Sequence, residues 1–170
     1  DVPAMKSAVH HVSHAEVKYN GVRVPEENLL GAENTGFQIA QQRLGPARLT
    51  HCMRFCGMAD RSLAIARAYM QDREAFGSSL SEKQALRQRI AEQELALHCT
   101  RTVTRDAARR VSEGNEARIP VAMCKTQAAR MVQEAVDLAI QCCGGAGLSR
   151  DLPLVDFYEG LRFFRIGDGP

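Results

Sequence analysis

Residues 124–145 read CKTQAARMVQEAVDLAIQCCGG. Within this stretch Cys124, Ala128, Met131, Ala135, Leu138 and Cys142 recur at alternating intervals of four and three. That spacing puts all six on one stripe of an α-helix. Gly144 and Gly145 then close it, glycine being a common residue just beyond a helix C-terminus. A helix this long, with a single apolar stripe, needs other helices to bury it.

The same pattern extends in both directions. Upstream, Ala59, Leu63, Ala66 and Met70 follow the four–three–four rhythm. Leu86 and Ile90 resume it after a break at Phe76-Gly-Ser-Ser79, and Val103, Ala107 and Val111 lead to a second break at Glu113-Gly-Asn115. Three long helices with short connections imply antiparallel neighbours. Pro120 suits a first helical turn, and Pro153 can open a shorter fourth helix running to about Arg165. The expectation is an all-α chain, an up-down four-helix bundle, from Gly36 onward. Gly45-Pro46 predicts a short helix before it and a long helix starting near Pro46. Before Gly36 the period changes to two: Ala15, Val17 and Tyr19 alternate with polar residues, and Asn20-Gly21 predicts a tight hairpin turn toward Val22-Arg-Val-Pro25. Asn34 or Thr35 is available as a helix cap. The expected organisation is a short β segment and linker over 1–33 and a helical bundle over 34–170.

Composition narrows the function. The chain has 170 residues, 45% hydrophobic and 25% charged, with a net charge of +2. So small a charge does not favour nucleic acid or membrane as main partner. No apolar run approaches the roughly 18 residues of a membrane span, and no export signal is visible. The six cysteines lack metal-ligand spacing, and the vicinal Cys142 and Cys143 are poorly placed to bridge. They read as reduced thiols of an intracellular protein. His10, His11 and His14 have no carboxylate partner and unsuitable spacing, so no metal is expected. Arg101, Arg105 and Arg109 form a basic stripe without interleaved aromatics, more consistent with a solvated helix face than a nucleic-acid surface.

Three segments carry possible chemistry. Gln141-Cys-Cys-Gly-Gly-Ala-Gly147 is either a helix cap and turn or a place where backbone amides approach an anionic group. Arg73-Glu-Ala-Phe-Gly77 puts a guanidinium at a helix C-terminus. The macrodipole alone explains that position, and the planar fork also suits a pyrophosphate. Gly167-Asp-Gly169 is either a solvated turn or a bend that projects a carboxylate as a general base.

In their order, Val22-Arg-Val-Pro25, Asn28-Leu-Leu-Gly31, Gly36-Phe37, Arg73-x-x-Phe-Gly77 with Gln84, and Gln141-x-x-Gly-Gly-x-Gly147 resemble the acyl-CoA dehydrogenase family over nearly the whole chain. The resemblance implies FAD as cofactor and α,β-dehydrogenation of a fatty acyl-CoA to the trans-2-enoyl-CoA. A carboxylate takes the α-proton and the flavin takes the β-hydride. It implies that Arg73, Phe76, Gln84, Gln141, Gly144 and Gly145 contact the flavin cofactor of a neighbouring subunit in a homo-dimer or tetramer. It also implies electron-transfer flavoprotein as electron acceptor, and a cytoplasmic, mitochondrial or peroxisomal location according to source. The family base, usually glutamate in Tyr-Glu-Gly-Thr, follows the glutamine of the glycine segment by roughly 27 residues. That position is Asp168, whereas Tyr158-Glu-Gly160 falls about two and a half helical turns early. A second family arrangement places the base on the first long helix, here Ala47. Arg48 matches an arginine near the acyl-CoA, and Gly45 stands where the family often has aspartate. Leu44-Gly-Pro-Ala-Arg48 with Asp168-Gly-Pro170 resembles the branch with an aspartate base, which includes kinase-fused animal enzymes and bacterial relatives. Against the family pattern the chain is expected to stop before the last helix. The alternative is a non-catalytic helical module for oligomerisation or acyl-CoA binding.

Overall fold

In a computed structural model of the chain, residues 4–5 and 14–169 are described. The chain divides into two compact units, Asp1–Leu44 and Gly45–Pro170. In the first unit β1 (Ala4–Met5) pairs antiparallel with β2 (His14–Ala15), Ala4 opposite Ala15 and Met5 opposite His14. A 3-10 turn follows at Glu26–Asn28. The hairpin expected around Asn20-Gly21 does not form. The chain bends there, with Gly21 at φ +62°, but no strand flanks it. Val17, Tyr19, Val22 and Val24 are all exposed, so no apolar surface favours the pairing, and two strands alone are marginal in water.

The helix α1 (Gly36–Asp72) runs unbroken through Pro46, correcting the expected break. Pro46 cannot donate to the carbonyl four residues back. Gln42 and Pro46 are both exposed, so solvent can take the freed carbonyl. Thr35 precedes the helix. Its carbonyl accepts from Ile39 N–H, while its hydroxyl donates back to the Ala32 carbonyl at 2.6 Å.

In the second unit α1 continues to Asp72, a small hairpin follows, and then come α2 (Gln84–Ser112), α3 (Arg118–Cys143) and α4 (Leu154–Arg162). The all-α bundle of three long helices and one short one is therefore present. The stripe that decided it is buried along its length: Cys124, Ala128, Met131, Ala135, Leu138 and Cys142 each expose 4% or less. It meets the stripe of α1, where Cys56, Ala59, Leu63, Ala66 and Met70 share its main core cluster. The small alanines and cysteines on both stripes let the helices approach closely. Ser62, Thr100 and Thr104 are buried but donate to the carbonyl four residues back, so each buried hydroxyl is satisfied within its own helix.

The up-down course places features by end. The α1–α2 connection and the C-terminus of α3 lie at one end. The start of the second unit and the α2–α3 connection lie at the other.

Candidate functional site

The end of the bundle carrying the α1–α2 connection holds six of the expected cofactor residues. Arg73 follows α1 directly, and a two-stranded hairpin forms from β3 (Glu74–Ala75) and β4 (Ser78–Ser79). Its two central residues, Phe76 and Gly77, have φ +54° and +80°, the left-handed pair of a tight hairpin turn. Phe76 is 93% exposed, and positive φ is uncommon for an aromatic residue. Lys83 ties the hairpin down, donating to the Phe76 carbonyl and the Ser78 hydroxyl. Gln84 is the first residue of α2.

At the end of α3, Gly144 takes φ +57° and the chain tightens into a 3-10 turn through Leu148. Gly147 is obligatory there, because a Cβ would stand 2.6 Å from the Ile140 carbonyl oxygen. Gly144 and Gly145 instead face open space. Arg73, Gln84, Gln141, Gly144 and Gly145 are all exposed. A guanidinium and two side-chain amides, beside a glycine backbone left open to close approach, form a donor set that fits the pyrophosphate and hydroxyl groups of FAD.

Arg48 and Asp168 meet elsewhere. Arg48 precedes Arg73 by 25 residues of α1, about 37 Å at the helical rise. The tail after α4 passes through a 3-10 turn at Phe163–Arg165 and returns to the side of α1. There Arg48 Nε donates to the Asp168 carbonyl oxygen at 2.8 Å, and Lys125 of α3 donates through Nζ to the Gly169 carbonyl oxygen. Two cations thus hold two successive carbonyls of one bend. Gly167 packs against the Phe163 ring, leaving no room for a Cβ. Asp168 itself adopts φ +60°, a conformation aspartate enters more readily than most residues.

The carboxylate of Asp168 is partly enclosed, its side chain keeping 23% of its surface. Oδ2 is shielded from solvent and has no aligned hydrogen-bond donor. The nearest polar group is His51 Nε2, at 3.1 Å but off the hydrogen-bond direction. The His51 ring stands edge-on to Phe164, centroids 5.7 Å apart. Lys125 is 4% exposed and lies 5.2 Å from the Phe164 centroid. Burial and, next, the Arg48 charge push its ammonium below the usual lysine range, while Asp168 and Cys52 act the other way. Cys52 is fully buried beside this cluster. Burial first, then neighbouring Cys124 and Cys56, push its thiol up to about 12.

The structure thus brings Arg48 and Asp168 together and keeps them far along α1 from Arg73. Glu159 lies exposed on α4. His51, Lys125 and Phe164 were not singled out by sequence. Their only signals were that His51 sits one turn beyond Arg48 and that Lys125 adjoins the buried stripe at Cys124. Ala47 brings no acid to this end. The basic stripe on α2 is largely met by carboxylates: Arg101 pairs with Asp60, and Arg109 with Asp106 and Glu113. The described cysteines are all free, Cys142 and Cys143 included. Among the described residues no group of His, Cys, Asp or Glu could hold a metal, and no helix is long and apolar enough to cross a membrane. His10 and His11 lie outside the described residues.

The chain is similar in sequence and fold to known proteins. A probable acyl-CoA dehydrogenase, FadE2, of Mycobacterium tuberculosis is 45% identical over 159 residues, covering 92% of this chain and 39% of that protein. Acyl-CoA dehydrogenase family member 11 of Gallus gallus is 43% identical over 162 residues, covering 94% and 21%. Butyryl-CoA dehydrogenase from Megasphaera elsdenii superposes with a TM-score of 0.90 at 27% identity, covering 98% of this chain and 44% of that one. A chain described as the FAD complex of PigA superposes at 0.84 and 25% identity, covering 89% and 39%. The chain therefore spans only 21% and 39% of the length of these two curated relatives. A family model described as "Acyl-CoA dehydrogenase, C-terminal domain" matches residues 34–170, and with these relatives it establishes that the chain belongs to the acyl-CoA dehydrogenase family.

Proposed function

We propose that this segment supplies the α-proton base and part of the cofactor contacts of an FAD-dependent acyl-CoA dehydrogenase acting on a fatty acyl-CoA. The single observation that supports this best is Asp168 itself. A half-enclosed carboxylate stands on a left-handed bend whose main chain is anchored at two successive carbonyls, by Arg48 and Lys125. A general base works only from a fixed position within reach of its proton, and these anchors fix the bend.

In this reading Asp168 accepts the proton from the α-carbon of the thioester, the C–H bond breaking and an O–H bond forming on the carboxylate. The electron pair left on the α-carbon forms the new double bond as the β-hydrogen departs, giving the trans-2-enoyl-CoA. FAD, when bound, supplies the acceptor for that hydride. Arg48 keeps the bend in register beside the acyl-CoA. Arg73, Phe76, Gln84, Gln141, Gly144 and Gly145 serve the cofactor of a neighbouring subunit. The roughly 37 Å between Arg48 and Arg73 along α1 favours a homo-dimer or tetramer, because one chain cannot bring both to one reacting centre. Residues 1–33 are read as the end of a preceding β domain and its linker. Electron-transfer flavoprotein is the proposed electron acceptor, and the reduced thiols favour an intracellular site of action.

The test compares Asp168→Asn with Glu159→Gln in the complete flavoenzyme, following anaerobic flavin bleaching by acyl-CoA in a stopped-flow instrument. Asparagine retains the shape but cannot take the proton. Reduction should slow by about 10²–10⁴-fold or more, with acyl-CoA still bound, while Glu159→Gln should stay near the parent rate. Parent-rate reduction by Asp168→Asn with a dead Glu159→Gln would move the base to α4.

A further inference from the structure

Asp168 Oδ2 is buried without an aligned donor, and the group facing it is an imidazole whose other nitrogen is already engaged. Arg54, one turn along α1, stands with its guanidinium nitrogen 2.9 Å from His51 Nδ1. A guanidinium only donates, so Nδ1 must be the acceptor and cannot carry the ring proton. In the neutral ring that proton is then on Nε2, 3.1 Å from Asp168 Oδ2. The ring's direction is set by aromatic neighbours. Phe164 meets it edge-on at 5.7 Å, Phe55 lies 6.3 Å away, and these two phenyl rings pack against each other at 4.0 Å. The remaining charged or titratable groups around the pair are accounted for. Arg48 donates to the Asp168 main chain, Lys125 to that of Gly169, and Cys52 is a buried protonated thiol.

We propose that His51 is a positioning residue for Asp168: fixed by Arg54 as its Nε2–H tautomer, it donates to Oδ2 and reserves Oδ1 for the substrate α-proton. The inference rests on the reading of Asp168 as the base. A small rotation of the ring brings the N–H onto Oδ2, which needs a donor whenever the carboxylate is charged. Because Oδ2 is closed to solvent while the side chain keeps 23% of its surface, the oxygen left for substrate is Oδ1. After proton transfer Oδ1 carries the O–H and Oδ2 still accepts from His51. The histidine therefore gives up no proton during the reaction and acts by aim alone.

The experiment uses the complete flavoenzyme with ¹⁵N-labelled histidine, the His51 signals being assigned by their loss in His51→Gln. Near neutral pH, Nε2 should be the protonated nitrogen and Nδ1 the bare one. An Nδ1–H tautomer or a doubly protonated ring overturns the proposal, whatever the role of Asp168. The kinetic arm measures flavin reduction by acyl-CoA. His51→Leu should lower the rate at saturating substrate by about 10–10²-fold, the scale of a misaimed reacting group, with a much smaller change in KM. His51→Gln, whose amide nitrogen reaches the Nε2 position, should recover most of that loss. Equal rates for His51→Leu and His51→Gln, both fast or both slow with FAD retained, refute the donor role. If His51→Leu loses FAD, the tautomer and His51→Gln decide. Asp168→Asn run alongside separates the two readings: parent-rate reduction there removes the base assignment and leaves the tautomer result standing.

Discussion

Arg48 Nε donates to the main-chain oxygen of Asp168 at 2.8 Å, joining residues 120 positions apart. An arginine that resemblance assigns to the acyl-CoA thus also holds the backbone of the bend, and a Cβ on Gly169 would stand 3.4 Å from its terminal nitrogen. The consequence is measurable. Arg48→Lys keeps the charge but loses the planar fork, so the bend loosens. In the complete flavoenzyme kcat should fall by about 10–10²-fold, with a modest rise in KM. If KM alone rises, Arg48 is a ligand for substrate and not an anchor.

A second expectation concerns the separation along α1. If Asp168 of one subunit and Arg73 of another serve one reacting centre, two inactive variants can complement each other. Asp168→Asn and Arg73→Leu should each be nearly inactive as pure oligomers. Mixed by co-expression, a hybrid pair contains one centre with both residues intact, and activity should reappear. A mixture no more active than its parts means that both residues serve the same chain.

The third expectation is a pH dependence of stability. The Cys52 thiol is pushed up to about 12 from an ordinary 9.0, and Cys143 to about 11, in each case chiefly by burial. A group with a raised folded-state pKa contributes stability that is complete below its unfolded value, and that contribution is lost as pH rises toward the folded value. The window is therefore from about pH 9 to about 12. Lys125 acts in the opposite sense. Its lowered value makes burial of the ammonium a cost that fades as pH rises toward its ordinary 10.5. Replacing the thiol separates the two effects. In urea titrations near pH 8 and pH 10.5, the parent should lose more stability between the two than Cys52→Ala, although the variant starts lower. Parallel losses in both proteins would exclude the thiol as the cause.

Much of the fold was legible because its signal is periodic. The stripe from Cys124 to Cys142 and the glycines after it predicted α3 and its end, since burial on one helical face leaves a repeating trace. Pro46 was misread because its cost depends on whether the orphaned carbonyl of Gln42 reaches water, which no local pattern states. Asn20-Gly21 was misread for a related reason, a turn-forming pair being insufficient without a surface on which its strands can pack. At the site, Asp168 was legible between two glycines. His51 and Lys125 were not, because a lone histidine and a lysine on a helix acquire meaning only when a tail more than forty residues away folds back onto them.

The left-handed backbone at Asp168, φ +60°, ties the choice of acid to the shape of the turn. Aspartate tolerates that conformation and glutamate has no comparable preference for it. Exchanging one acid for the other is thus more than the addition of a methylene, because the peptide planes on either side must swing as well. For evolution, side-chain length and loop path become a linked pair of traits, inherited together and hard to cross by single steps. For an engineer, a glutamate grafted at position 168 calls for a new loop from Phe163 onward.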